Sequence, residues 1–224
     1  MKAAGGQAPG SGAARFSPAL AAARPVPWWG VLSAAAAVVF LVGGATLATV
    51  LQPASFNWLA STVSALTVRG AADPWVMTAA FAVTGACEMA TALALRPAAM
   101  PGRLILAAGG AASVLVAANP EHVGGSPAHG LWAAVTFTAL IAWPTGAWRR
   151  GPSVPWGLRP PVSAAAVATL LALLAWYLTE LTTKGAMTGL AERVMGAAEV
   201  GWPLAVVLSC RPPAAAMNPR AVSH

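Results

Sequence analysis

From position 28 to position 51 the chain runs for 24 residues without one ionisable side chain, and five further apolar runs follow it. A short chain has too little material to bury so many such segments from water, whereas roughly 20 apolar residues match the hydrocarbon thickness of a bilayer. The runs cover 28–51, 74–95, 104–118, 130–148, 162–181 and 190–210. The first exceeds the apolar core of a cleavable signal and further spans follow it, so it reads as a membrane helix. Six spans use about 120 positions and leave about 100 for tails and short loops. With 58% of residues apolar and 8% charged, the composition also excludes a water-soluble domain. The predicted fold is therefore all-α: a polytopic membrane protein with a six-transmembrane-helix bundle at 28–211. A disordered cytoplasmic tail at 1–27 precedes it and a short cytoplasmic tail at 212–224 follows.

The formal net charge of +7 does not indicate nucleic-acid binding, because the cations fall in small groups between apolar runs and do not gather on one face. They read as orientation signals. Lys2, Arg15, Arg24, Arg96, Arg103, Arg149, Arg150, Arg159, Arg211 and Arg220 fall on one side, against Arg69, Lys184 and Arg193 on the other. Cations are retained on the cytoplasmic face during insertion, so both termini are expected inside, in the inner membrane of a cell whose Arg, Ala, Gly and Pro usage points to a GC-rich bacterial gene. Trp58, Trp75, Trp132, Trp176 and Tyr177 then fall at the outer interface, where amphipathic rings prefer to lie. Cys87 and Cys210 lack the spacing of a zinc site or of a disulfide framework and read as buried, inert thiols. No cofactor motif is present.

Most polar side chains able to do chemistry fall on the outer side. Phe56, Leu59, Val63 and Leu66 recur at helical spacing, with Asn57, Ser61 and Ser64 on another stripe, so a short amphipathic helix is expected on the outer surface. The loop from Asn119 to His129 holds two of the three histidines. The stretch Ser61-Thr62-Val63-Ser64-Ala65-Leu66, then Pro74-Trp75-Val76-Met77 with Phe81 and Gly85, form the first part of an ordered pattern. Its later parts are Gly109-Gly110, Asn119-Pro120, His129, Ala191-Glu192-Arg193-Val194 and Trp202-Pro203-Leu204. In this order they resemble the prokaryotic membrane family called domain of unknown function 998, over roughly 28–211. Asn119 stands where that pattern has an aromatic or apolar residue. The resemblance implies a six-helix integral membrane protein and carries no activity.

Two acids stand inside spans. Counting about 1.5 Å per residue from the outer ends, Glu88 lies at roughly 21 Å and Glu199 at roughly 14 Å depth. An ionised carboxylate there costs several kcal/mol unless it is paired or wetted, so such residues are substrate-binding candidates by default. The plainer alternative is a neutral carboxyl hydrogen-bonded to a neighbouring helix. Pro203 lies four residues after Glu199 and cannot donate to the Glu199 carbonyl, which adds a free acceptor beside that acid.

Ser64, Asp73, His122 and His129 are the residue types of a hydrolase, but their spacing matches no Gly-x-Ser-x-Gly or His-Glu-x-x-His template. Asp73 before Pro74 reads more simply as an N-cap, and Glu121, His122 and His129 are too loosely spaced to predict a metal site. Three functions remain as expectations. The first is non-enzymatic binding or transport of a small or lipidic molecule through a polar cavity at Glu88 and Glu199. The second is an outward-facing hydrolase using the Ser/Asp/His set. The third is an accessory or scaffold subunit that packs against a membrane partner or a second copy.

Overall fold

The computed structural model describes residues 25–211, and both tails expected at the ends otherwise lie outside the described residues. Helix α1 (Trp28–Val50) is followed by α2 (Pro74–Ala94), α3 (Met100–Ala118), α4 (Pro127–Ala147), α5 (Pro160–Thr183) and α6 (Thr188–Ser209). No β-strand occurs among the described residues. The first five helices are long and apolar enough to cross a membrane. Helix α6 has comparable length, 22 residues, but carries Glu192, Arg193 and Glu199, which sets it apart. Proline at the first turns of α2, α3, α4 and α5 explains four of the starts, since its missing N–H lies where a helix leaves donors free anyway.

Consecutive helices pack antiparallel, with α1 also closing against α6. The tightest packing runs through α3, between α2 and α4. Small residues permit it: a Cβ on Gly85 of α2 would strike the Gly110 carbonyl of α3, and one on Gly110 would strike the Gly85 carbonyl. In lipid, where burying apolar groups gives helices little reason to associate, such backbone proximity supplies the packing contacts. The outside is apolar, with Phe40, Leu47, Leu104, Leu131 and Leu171 among the exposed side chains. Helix α5 is the most peripheral and buries only Ser163, Leu170 and Tyr177.

The arginine-rich loops meet at one end, where their side chains bind main-chain carbonyls left free at helix ends. Arg103 donates to the carbonyls of Ala92 (2.8 Å) and Leu93 (3.0 Å) at the end of α2. Arg149 donates to those of Pro97 (2.9 Å) and Ala98 (3.3 Å). These arginines thus close the bundle as well as marking one of its ends. At this end Val26, within the segment expected to be disordered, is buried in the core beside Ala94.

Three local expectations change. The segment around 56–66 is not an amphipathic helix: it makes turns and then a single 3-10 turn at Ser64–Thr67. The carbonyls of Trp58 and Ser61, which a helix would pair with its own N–H groups, are taken by Arg193, and the Leu59 carbonyl accepts the Leu190 N–H. Val63 and Leu66 face the core and do not lie on the surface. Tyr177, expected among the exposed interfacial rings, is buried within the bundle and stacks edge-on against Phe137, 5.9 Å between ring centres. Both cysteines are free and only half-buried.

Candidate functional site

At the end of the bundle opposite the arginine-rich loops, the loop after α1, the start of α4 and the start of α6 converge. Ser64 opens the 3-10 turn. His129 is the third residue of α4, whose start lies three residues before the expected span, so the histidine belongs to a helical turn. Ser126 caps that turn by accepting the His129 main-chain N–H (3.3 Å), as a serine ahead of proline at the first helical position is suited to do.

The imidazole is 2% exposed. Its Nδ1 lies 2.9 Å from the Asn119 carbonyl oxygen, which only accepts, so Nδ1 carries the hydrogen. Nε2 of the neutral ring is then an acceptor, and the Ser64 hydroxyl, 2.9 Å away, donates to it. The sequence thus brings together a hydroxyl and a base 65 positions apart, with the base oriented by a third group. Glu121 Oε2 stands 4.0 Å from His129 Nε2. Glu121 is placed by its own N–H, which donates to the Thr67 hydroxyl (3.1 Å).

Helix α6 supplies the platform beneath Ser64. Glu192, buried, accepts the Val63 N–H through Oε2 (2.6 Å), and its Oε1 lies 3.4 Å from the Ser64 hydroxyl. Arg193 donates to the carbonyls of Trp58 (3.0 Å), Ser61 (3.0 Å) and Gly189 (2.9 Å) and to the Thr49 hydroxyl (3.1 Å). Two adjacent ionisable residues therefore fasten the whole loop from Trp58 to Ser64. Gly189 lets the helix approach, since a Cβ there would overlap the Ser61 and Trp58 carbonyls.

The other hydrolase candidates lie apart from this cluster. Asp73 occupies the N-cap position of α2 in a left-handed conformation (φ 48°), but its side chain does not cap the helix. It accepts the Trp75 indole N–H instead (3.2 Å). His122 is exposed in the loop, with its main-chain N–H donating to the Glu121 carboxylate (3.2 Å). Among the described residues, no three His, Cys, Asp or Glu side chains converge as metal ligands.

Below Ser64 a cavity extends into the bundle, offering about 140 Å³ to the centres of water-sized spheres. Val63, Ser64, Glu192 and Arg193 line its end nearest the loop after α1, and apolar side chains such as Leu41, Phe81, Phe137 and Leu140 its walls. Glu88 and Glu199 line it deeper in, each 1% exposed, so both acids face one space. On one flank Val42 and Thr46 of α1 line the cavity and are also exposed on the outside of the bundle. There α1 is wound as π-helix over Val39–Gly43, a departure common where a helix passes a functional cavity.

The sequence names Glu192 and Arg193 only within the ordered pattern and Glu121 only among loosely spaced metal-ligand types, and assigns none of them to this site. The signal lies in the Glu192-Arg193 pair two residues into an apolar run, where a count of loop cations treats Arg193 as an orientation mark only. In comparisons with known proteins, the family described as Protein of unknown function (DUF998) matches residues 34–209. No curated protein and no solved structure matches.

Proposed function

For this chain, which belongs to the family Protein of unknown function (DUF998), we propose a membrane-embedded hydrolase of amphipathic esters or amides, with Ser64 as nucleophile and His129 as general base. The observation that carries this reading is the Ser64–His129 hydrogen bond of 2.9 Å, with Nδ1 of the same ring held by the Asn119 carbonyl. A nucleophile bonded to a base that is itself oriented is the arrangement acyl transfer needs. As the Ser64 oxygen bonds to the substrate carbonyl carbon, its proton passes to Nε2. That proton leaves with the departing alcohol or amine as the carbonyl–heteroatom bond breaks. Water then repeats the sequence against the acyl-serine and releases the acid.

Substrate class follows from the cavity. Its walls are apolar and its flank at Val42 and Thr46 meets the outside of the bundle, which suits an acyl chain entering sideways from lipid. Helix α6 is read as the sixth span, its ionisable residues facing inward onto the loop and the cavity. The count of arginines supports an arrangement with the termini in the cytoplasm and Ser64 on the outer side of the cytoplasmic membrane. Protein in lipid nanodiscs is expected to hydrolyse the p-nitrophenyl ester of decanoate at least about tenfold faster than that of acetate, as a few buried methylenes suffice for that ratio. Equal rates on the two esters, or no turnover of either, contradict the proposal.

A second reading, binding or transport without chemistry, is favoured by one specific observation: neither oxygen of Glu88 has a hydrogen-bond partner. Under that reading the outer cluster only closes the cavity, and replacing Ser64 leaves the protein's function in place.

A further inference from the structure

The deep end of the cavity holds more unpaired acceptor capacity than any other part of the described chain. Both carboxyl oxygens of Glu88, Oε1 of Glu199 and the Thr84 hydroxyl are buried without a hydrogen-bond partner. All three residues line the cavity, and all are at most 2% exposed. Thr84 and Glu88 sit one helical turn apart on α2, so their side chains share a face. Ser113, on the facing wall, gives its hydroxyl hydrogen to the Phe81 carbonyl (3.0 Å) and keeps its oxygen as an acceptor. The cavity cation at Arg193 is committed to the loop carbonyls at the opposite end.

Buried polar groups without partners are costly, and in native proteins such a set usually awaits a ligand, an ion or water. What is missing here is a donor that also brings positive charge. We propose that this end of the cavity binds a protonated organic amine carrying an apolar chain, with the ammonium between Glu88, Glu199 and Thr84. An ammonium group supplies up to three N–H donors in the compact shape this acceptor set asks for. The apolar walls provided by Phe81, Phe137 and Leu140 contact the chain, whereas a bare metal ion would gain nothing from them and wants more oxygen ligands than are present. This inference requires no reaction at Ser64.

The test is equilibrium dialysis of n-decylamine and n-decanol against the full chain in nanodiscs, with empty nanodiscs as the baseline. Unmodified protein is expected to hold the amine roughly tenfold or more tightly than the alcohol, from charge-assisted hydrogen bonds alone. Glu88→Gln and Glu199→Gln are expected each to lose most of that preference and to leave decanol binding unchanged, which also reports that the cavity is intact. Ser64→Ala is expected to bind the amine like unmodified protein, so failure of the amine site and failure of the hydrolase reading are seen separately. Equal binding of amine and alcohol by unmodified protein overturns the proposal, as does an undiminished preference in both glutamine variants.

Discussion

His129→Ala is expected to lower ester hydrolysis by about 10²–10⁴-fold, the range general-base catalysis contributes when the base is removed. The effect follows from one ring holding two bonds. Nδ1 is fixed on the Asn119 carbonyl, so the lone pair of Nε2 points at the Ser64 hydroxyl with no other acceptor in the imidazole to compete. His129→Gln tests the proton rather than the shape, since an amide can hydrogen-bond to the hydroxyl without taking up its proton at neutral pH. Its rate is expected to fall into the same range as alanine. If glutamine keeps most of the activity, His129 positions the serine and does not act as base. A steady-state assay on p-nitrophenyl decanoate separates these outcomes.

Arg193→Ala is expected to cost about 3 kcal/mol or more of stability, because hydrogen bonds to charged donors contribute roughly 1.5–3 kcal/mol each and the Trp58, Ser61 and Gly189 carbonyls lose theirs together. Helix α6 also accepts the Val63 N–H through Glu192 and gives the Leu190 N–H to the Leu59 carbonyl, so these bonds and the packing of Val63 and Leu66 retain part of the loop's hold when Arg193 is removed. Activity is expected to fall with stability, as a displacement of about 1 Å at Ser64 suffices for a 10²-fold loss. Arg193→Lys is expected to recover part of the stability only, since one ammonium lacks the fork that reaches the carbonyls and Thr49 together. Thermal unfolding in mild detergent measures both variants. An alanine variant that melts with unmodified protein shows that the loop is held by something other than this guanidinium.

The helical class and the long spans were legible from the sequence because lipid imposes one rule, about 20 apolar residues per crossing, that composition alone can satisfy. The close contact of Gly85 with Gly110 follows from the same setting, since small residues let helix backbones approach in lipid. The loop after α1 was not legible. Phe56, Leu59, Val63 and Leu66 have helical spacing, but helix formation there competes with Arg193 and Glu192, which lie about 130 positions away and take the carbonyls and the N–H the helix would use. Propensity has no knowledge of such partners.

The site was legible in residue type and illegible in pairing. Ser64 and His129 stand in contact, whereas Asp73 and His122, equally plausible by type, face the Trp75 indole and the exterior. Glu192 and Arg193 were hidden by treating every cation near a span end as an orientation signal. An acid and a base side by side within an apolar run cost too much to serve orientation alone, and that expense was the available clue. Glu88 and Glu199 were visible for the same reason, as isolated acids in lipid-length runs. That both line one cavity depended on how α2 and α6 are placed around it, which spacing does not encode.

The most direct measurement is covalent: treatment of the protein in nanodiscs with a fluorophosphonate bearing a decyl chain, followed by peptide mass spectrometry. The account predicts a single adduct on Ser64, absent in Ser64→Ala and slowed in His129→Ala. An adduct on another residue, or none under conditions that fully modify a reference serine hydrolase, would contradict it.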